Sequence, residues 1–398
     1  MGEITERNGS ICQLVPELLS SFVDTFVDYS VSGLFLPNFN SNPNSTSSPT
    51  ILQTHCPPPD RLVAIGDLHG DLEKSQEAFR LAGLIDSNGK WIGGSTTVVQ
   101  IGDVLDRGSE ELKILYFLEK LKREAAKSGG SIISMNGNHE IMNVKGDFRF
   151  VTKKGLDEFK NWADWFTIGN HMKALCKELK KPKDPFSGIP AVFPGIKKEF
   201  VDGFRARIAA LQPNGPIATR FLSQNLTVLV IGDSVFVHGG LLAEHVDYGL
   251  DRINKEVRDW ICGLKGRQPP SYVIGRNSLV WLRKFSDELA KNCDCSALEH
   301  TLATIPGAKR MIMGHTIQKS GINGVCSNKA IRIDVGMSRG CTNGLPEVLE
   351  INKNSTIQIL TSNPLYLSKE KPYLDANRMD GLGVLVPEQG PKQVEVKA

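Results

Sequence analysis

Aspartate, asparagine and histidine recur in this chain at one kind of place, just past the end of an apolar run. Residues 62–65 run into Gly66-Asp67-Leu68-His69-Gly70, and 97–101 run into Gly102-Asp103-Val104-Leu105-Asp106-Arg107-Gly108. Residues 131–135 run into Asn136-Gly137-Asn138-His139-Glu140, 235–237 into His238-Gly239-Gly240, and 310–313 into Gly314-His315-Thr316. The glycines let the backbone turn sharply and come close to an ion. Taken alone each segment is weak: Asp-x-His is common in surface turns, and His238 or His315 by itself reads as a hydrogen-bonded core histidine. Taken in order, the five read as oxygen and nitrogen ligands aimed at a shared metal centre. Such a mixed set suits Mn2+, Fe or Zn2+ better than Ca2+.

Strands must present those turns. Strand-like runs are expected at 62–65, 97–101, 131–135, 227–231, 235–237, 310–313 and 330–335, with helices over 73–82 and 110–126 between the first three. That alternation predicts βαβαβ and a mainly parallel sheet, whose carboxyl edge is where ligands bind. "VIGDSVFV" instead predicts a tight hairpin turning at Gly232-Asp233. The fold class is therefore α/β with some antiparallel pairing.

Upstream, Val15, Leu18, Leu19, Phe22, Val23, Phe26 and Val27 predict one apolar helical face. The polar face is acidic, so this helix is expected to dock on the body and not on anionic lipid. "LPNFNSNPNSTSSPT" and "CPPPD" read as linker. The chain thus divides into an N-terminal helix and linker (1–58), a catalytic domain (59–370) with a helical insertion at about 145–222, and a Pro/Gly/charge-rich tail (371–398) read as loose. Residues 145–210 carry 14 Lys plus Arg against 8 Asp plus Glu, a balance of +6 where the whole chain is +3. This segment reads as a solvated helix pair over an apolar stripe containing Trp162 and Trp165, or as a cationic wall drawing an anionic substrate.

Composition bounds the rest. With 398 residues, 40% of them hydrophobic, the chain can bury a large core, and a net charge of +3 sets up no global field toward nucleic acid or a membrane. No apolar run is long enough to span a bilayer. Neither a secretory pattern nor a basic transit peptide is expected, because residues 1–50 carry Arg7 against Glu3, Glu6, Glu17, Asp24 and Asp28. The eight cysteines are scattered, which predicts reduced thiols in a cytoplasmic protein. Cys293-Asp-Cys295 reads as an ordinary loop. Read as a redox pair or disulfide partner, it would fit an oxidising space instead, such as the mitochondrial intermembrane space.

GDLHG, GDVLDRG, GNHE and HGG, in that order, resemble the signature of the phosphoprotein phosphatase family of calcineurin-like metallophosphoesterases, over about residues 60–340. GDLHGD, the MNGNHE turn, the long insertion after it and SLVWLRKF are similar to the plant Shewanella-like protein phosphatases, a bacterial-type branch. The resemblance implies a central mixed β-sandwich flanked by helices and two divalent metal ions per subunit, Mn2+ with Fe or Zn2+ as alternatives. It implies that Asp67 and His69 hold the first ion, that Asp103 bridges both, and that Asn138, His238 and His315 hold the second. His139 is then the proton donor, oriented by Asp106. Arg107 grips phosphate oxygens, and Arg283, with Arg276 as a rival, is the second phosphate-binding arginine. Glu140 and Asp71 are expected to buttress turns.

Those residue types suit phosphoester hydrolysis. A phosphomonoester dianion repels hydroxide, so its unaided hydrolysis is extremely slow. Two cations about 4 Å apart share one carboxylate and one water, ionise that water near neutral pH and aim it at phosphorus. The cations and Arg107 neutralise the equatorial oxygens. An acid opposite the nucleophile must protonate the leaving oxygen, the part assigned to His139. The expected function is a metal-dependent protein phosphatase acting on phosphoproteins, with the phosphotyrosine preference associated with the Shewanella-like branch and no nucleic-acid or membrane partner. The alternatives are a dinucleoside polyphosphate hydrolase using the same motifs and a dead scaffold that binds phosphoproteins; the complete set of ligand and acid residues weighs against the scaffold.

Eukaryotic Ser/Thr members of the family read LRGNHE where this chain reads Ser134-Met135-Asn136-Gly137-Asn138-His139-Glu140, and they carry a SAPNYC loop where it has IDVGMSRGC. That loop is where the family's natural toxins bind. Okadaic acid and microcystin are therefore expected to inhibit weakly, and an inhibition curve showing potent nanomolar block would refute this.

Overall fold

The computed structural model describes residues 11–37, 53–179, 184–363 and 383–385. Its strands are β1 (His55–Cys56), β2 (Arg61–Ile65), β3 (Thr97–Gln100), β4 (Ser131–Ser134), β5 (Val228–Ile231), β6 (Ser234–Val237), β7 (Arg310–Met313), β8 (Asn323–Val325), β9 (Ala330–Arg332), β10 (Glu347–Asn352), β11 (Ile357–Thr361) and β12 (Gly383–Leu385). Its α-helices are α1 (Ile11–Ser32), α2 (Leu72–Leu81), α3 (Glu111–Lys127), α4 (Asn138–Lys145), α5 (Lys153–Ala174), α6 (Val201–Leu211), α7 (Pro216–Arg220), α8 (Ala243–Tyr248), α9 (Leu250–Ile261) and α10 (Cys295–Ala303). The strands form two six-stranded sheets, ordered β1-β5-β6-β7-β9-β8 and β12-β11-β10-β2-β3-β4.

Side-chain alternation shows how the sheets stack. Leu229, Ile231, Phe236 and Ile312 of the first sheet share one buried cluster with Val63, Ile65, Val98 and Ile132 of the second. Their neighbours Val228, Val230, Val235, Val237, Met311 and Met313 point the other way, into a cluster with Ile253 of α9 and Leu298 and Leu302 of α10. Burial on both faces is why these strands read as continuous apolar runs. The two stacked, mixed sheets are the sandwich that the resemblance implies.

β2, β3 and β4 pair in parallel through Val63, Val98 and Ile132, with α2 and α3 in the crossovers. β5 and β6 form the hairpin expected around Gly232. The expected antiparallel pairing is not confined to that hairpin: β10 lies antiparallel to both β2 and β11. β10 escapes a sequence reading because it carries two acids at buried positions. Glu350 accepts bonds from Arg61 at 2.8 and 2.5 Å. Glu347 accepts the Ile322 N–H at 2.7 Å and the Thr361 hydroxyl at 3.0 Å. Within the segment read as a loose tail, β12 pairs in parallel with β11. The rest of that segment, and residues 38–52 of the linker, lie outside the described residues.

α5, α6 and α7 build the insertion. Trp162 is fully buried there and stacks on Phe166 with ring centroids 5.0 Å apart. α1 docks on α5 and α3, burying Val23, Val27 and Val31. Leu18 and Phe22, which periodicity puts on the same apolar face, are exposed. The buried Asp28 turns that stripe inward, since it accepts two bonds from Arg220 of α7 at 2.6 and 2.8 Å. Arg220 also reaches Glu119 of α3 at 2.9 Å.

The expectation of scattered reduced thiols is corrected at one pair, where the alternative reading of Cys295 as a disulfide partner holds. Cys295 and Cys326 form a disulfide, their Cα atoms 5.2 Å apart across 31 residues, while Cys293 is a buried free thiol. Cys295 opens α10 and Cys326 sits between β8 and β9, so tertiary packing, which spacing cannot show, brings them together.

Gly169 of α5 faces α1: a Cβ there would lie 2.6 Å from Val27 Cγ2 and 3.3 Å from Val23 Cγ1. Gly169→Leu is expected to lift α1 from the body at a cost of about 1–3 kcal/mol. Hydrogen exchange should accelerate over 11–32 and stay unchanged in β2, β3 and β4. Unaltered protection of α1 would show that the valine contact does not hold it.

Candidate metal and catalytic site

The five glycine turns converge. Asp67 and His69 follow β2, Asp103, Asp106 and Arg107 follow β3, and Asn138 and His139 open α4 beyond β4. His238 follows β6 and His315 follows β7. All of these are buried except Arg107, which is half-buried. Five of them take left-handed backbone conformations: His69 (φ 44°), Asp103 (φ 53°), Asp106 (φ 68°), Arg107 (φ 63°) and His315 (φ 67°). Each such residue stores about 1–3 kcal/mol of strain and persists only where its surroundings over-determine it.

The surroundings are visible. Glu140 accepts the backbone N–H groups of Asp103 (2.8 Å), Val104 (2.9 Å), Leu105 (3.1 Å) and Gly137 (2.7 Å). Leu68 and His69 both donate their N–H to the Asp103 carbonyl, at 3.0 and 2.9 Å. Asp71 caps α2 through the Lys74 N–H at 3.2 Å and pairs with Arg339 at 2.8 Å. Glu140 and Asp71 thus buttress turns.

Asp103 is the hub. Its Oδ2 lies 3.1 Å from His238 Nε2, 3.7 Å from His69 Nε2 and 3.8 Å from His139 Nε2. Its Oδ1 accepts the His139 N–H at 2.9 Å. His69 Nδ1–H donates to the Leu105 carbonyl and His238 Nδ1–H to the Ile101 carbonyl, each at 3.0 Å. A carbonyl can only accept, so these bonds fix both tautomers and turn the Nε2 atoms inward. Asn138 Oδ1 lies 3.0 Å from His238 Nε2. The His315 N–H reaches Asp67 Oδ2 at 3.2 Å, and the buried Nε2 of His315 has no partner. The ligand atoms of Asp103, His238 and His315 lie within 4.8 Å of one another, as do those of His69, Asp103 and His139.

The electrostatics fit a cation site. Burial pushes Asp67 well above the usual carboxylate range, and the Asp334 charge adds to the push. Burial also raises Asp334, to about 6. Burial lowers His69 to about 3 and holds His315 well below the ordinary histidine value, leaving both imidazoles neutral. His238 goes the other way: burial opposes it, but Asp103 and Asp67 raise it to about 10. Crowded carboxylates facing neutral imidazoles, one with an orphaned inward nitrogen, are the donor chemistry of a divalent metal centre. Sequence reasoning missed Asp334. It follows β9 in Ile333-Asp334-Val335-Gly336, the same strand-end pattern, and accepts the Gly336 N–H at 2.8 Å.

His139 turns its Nδ1 away from this cluster, to Asp106 Oδ2 at 2.6 Å. Burial pushes its pKa down, but the Asp103 and Asp106 carboxylates outweigh that and hold it above the ordinary value. Burial likewise opposes ionisation of Asp106, yet the His139 bond and the Arg207 charge hold it below the usual carboxylate range. The Arg107 guanidinium lies over the Phe150 ring, 5.1 Å from its centroid, with a buried Nε that has no partner. Arg283 is exposed at the rim, where it donates to the Thr316 hydroxyl at 3.1 Å beside His315. Arg276 lines another groove, with Tyr248 and Tyr272.

The stacked sheets and the Asp/His turns between them define a calcineurin-like phosphoesterase, and residues 60–319 match that family. Within it the chain belongs to the Shewanella-like protein phosphatases. It is 66% identical to Shewanella-like protein phosphatase 2 of Arabidopsis thaliana, over 99% of each chain. It is 28% identical to Shewanella-like protein phosphatase 1 of Plasmodium berghei, over 72% of this chain and 69% of that one. Its fold matches that of the cold-active protein-tyrosine phosphatase of a psychrophilic Shewanella species, with a TM-score of 0.54 and 21% identity over 78% of this chain and 83% of that one. No helix among the described residues is long and apolar enough to cross a membrane.

Mn2+ is expected to raise the melting temperature of the metal-free protein, and EDTA to reverse the rise, since a ligand at 100 times its Kd adds about 2.7 kcal/mol. Gly137→Ala should abolish the shift, because its methyl group would lie 2.2 Å from Asp103 Oδ1. Melting curves indifferent to Mn2+, Fe2+ and Zn2+ would show that the cluster is not a metal centre.

Proposed function

We propose that this protein is a two-metal protein phosphatase that removes phosphate from phosphotyrosyl proteins. The observation that carries this reading is one buried Asp/His cluster standing beside one Asp–His dyad. Asp67, His69 and Asp103 would hold one divalent ion, and Asp103, Asn138, His238 and His315 the other, Mn2+ with Fe or Zn2+ as alternatives. Bound there, the two cations supply a water ionised near neutral pH and positive charge against the phosphoryl oxygens.

The chain's own groups do the rest. Arg107, held over Phe150, offers N–H donors to the phosphate, and Arg283 offers a second set from the rim. His139 has one imidazole nitrogen engaged by Asp106 and the other facing the cluster. The Asp103 and Asp106 carboxylates shift the imidazole toward the protonated form, which carries on that second nitrogen the proton the leaving oxygen needs. Phe150 is 37% exposed and its ring lies 5.1 Å from that of His139, a flat wall on which a phosphotyrosine ring can pack. A groove that includes Arg107 is lined by Lys153 and Lys154 against Asp71 and Glu110, with Arg339 already paired to Asp71, so Arg107 and the two lysines are left to draw an anionic substrate. The Cys295–Cys326 disulfide supports the organelle alternative, an oxidising space such as the mitochondrial intermembrane space, over the cytoplasm.

His139→Asn is expected to lower kcat on a phosphotyrosyl peptide by about 10²–10⁴-fold with little change in KM, the signature of a lost proton donor. A panel of phosphotyrosyl and phosphoseryl peptides and diadenosine tetraphosphate, assayed with Mn2+, checks the substrate class. Preferential cleavage of the dinucleotide would overturn the protein-phosphatase reading.

A further inference from the structure

The carboxylate that orients His139 is itself gripped from the insertion. Asp106 gives Oδ2 to His139 Nδ1 at 2.6 Å, and its Oδ1 accepts from Arg207 Nη2 at 2.9 Å and Asn143 Nδ2 at 3.0 Å. Arg207 belongs to α6 and is fully buried, its guanidinium 4.5 Å from the Phe159 ring centroid and 5.6 Å from that of Phe148. It also donates to both oxygens of Glu111, at 3.0 and 2.6 Å, and through Nε to Asn143 at 2.8 Å. Glu111 in turn accepts the backbone N–H of Asp106 at 2.9 Å. Asn143 donates to the His139 carbonyl at 2.9 Å.

We propose that Arg207 is a positioning residue for the proton donor, locking the Asp106 carboxylate so that His139 keeps its second nitrogen aimed at the leaving group. This rests on the phosphatase reading above. An arginine that only fastened the insertion to the body would be satisfied by Glu111. The bond to Asp106 Oδ1 does something further: it stops the carboxylate rotating away from the imidazole. The bonds to Glu111 act on the same residue a second way, because Glu111 holds the Asp106 backbone in its left-handed conformation. A planar fork with five fixed N–H donors is suited to serving two carboxylates and an amide at once, which a lysine cannot do.

The test compares Arg207→Met and Arg207→Lys with the wild type, all loaded with Mn2+, on two esters. Para-nitrophenyl phosphate has a leaving group that departs with little protonation, whereas phenyl phosphate needs the acid. For Arg207→Met, kcat on phenyl phosphate is expected to fall about 10–100-fold, kcat on para-nitrophenyl phosphate several-fold less, and KM to stay within about twofold. Arg207→Lys should lie between. Equal losses on the two esters would mean a merely structural role and overturn the proposal. If Arg207→Met does not fold, the ratio in Arg207→Lys decides alone: a threefold or larger change supports positioning and an unchanged ratio overturns it. A second readout needs no turnover. In the metal-free protein the Asp106–His139 bond should give a downfield imidazole N–H proton resonance, assigned by its loss in His139→Asn. That signal should broaden in Arg207→Met and persist in Arg207→Lys; its survival in Arg207→Met overturns the proposal. A wild type inactive on both esters would instead overturn the phosphatase reading, and the positioning role with it.

Discussion

Holding the buried carboxylates Asp67, Asp103 and Asp334 together is the demanding act in this fold, and most of the nearby architecture answers to it. Taking one carboxylate out of water costs several kcal/mol even after relaxation, and like charges add to each other's cost. Asp103 meets this by drawing on His238 and His139, whose charges hold its own pKa well below the usual carboxylate range although burial opposes it. Asp67 and Asp334 also feel the His238 charge, but burial outweighs it and pushes them the other way. The cluster is therefore arranged for cations and not for its own stability. The left-handed turns at His69, Asp103 and His315 belong to the same bargain, since they bring donor atoms from separate strands to one point.

Stability has to come from elsewhere, and the two sheets supply it. Each functional turn leaves a strand buried on both faces, so its position is fixed by packing before any ligand arrives. Glu140 then converts that rigidity into local geometry. One carboxylate collects four backbone N–H groups from the turns after β3 and β4, tying Asp103 to Gly137 and so to Asn138 and His139. The close backbone approach at Gly137 and Gly314, where a Cβ would fall 2.2 Å from Asp103 and 2.4 Å from Asp67, follows from the same convergence.

The strand-end turns were legible in the sequence because ligand and hinge fall within a few residues of one apolar run. The parallel core β2-β3-β4 was legible for the same reason. β10 was not, because Glu350 makes its burial tolerable through Arg61, 289 positions away, and no local pattern shows such a partner. The inward face of α1 was read a little out of rotation, since the buried Asp28 and its partner Arg220 decide which valines turn in. Asp334 repeats the strand-end pattern and could have been found by it. Arg207 could not. In a segment with a balance of +6 it looks like one more solvated cation, and only the joint presence of Glu111, Asp106, Phe148 and Phe159 makes it a buried one.

That last case changes what the insertion is. Read by charge, residues 145–210 form a wall beside the site. In the structure they also reach underneath it. The candidate ligands come from turns at strand ends, which the two sheets position without the insertion. The dyad beside them is built differently: His139 comes from α4, Asp106 from the turn after β3, and the charge that steadies Asp106 from α6, 101 positions downstream. A nucleophile and an acid that attack and protonate from opposite sides of phosphorus need separate supports, because one rigid loop cannot flank the substrate on both sides. Here the strand-end turns supply the candidate ligands together with Asp106, and the insertion adds only the Arg207 brace on the dyad. The two supports meet at Asp103, which accepts the His139 N–H on one oxygen and faces the other histidines with its second.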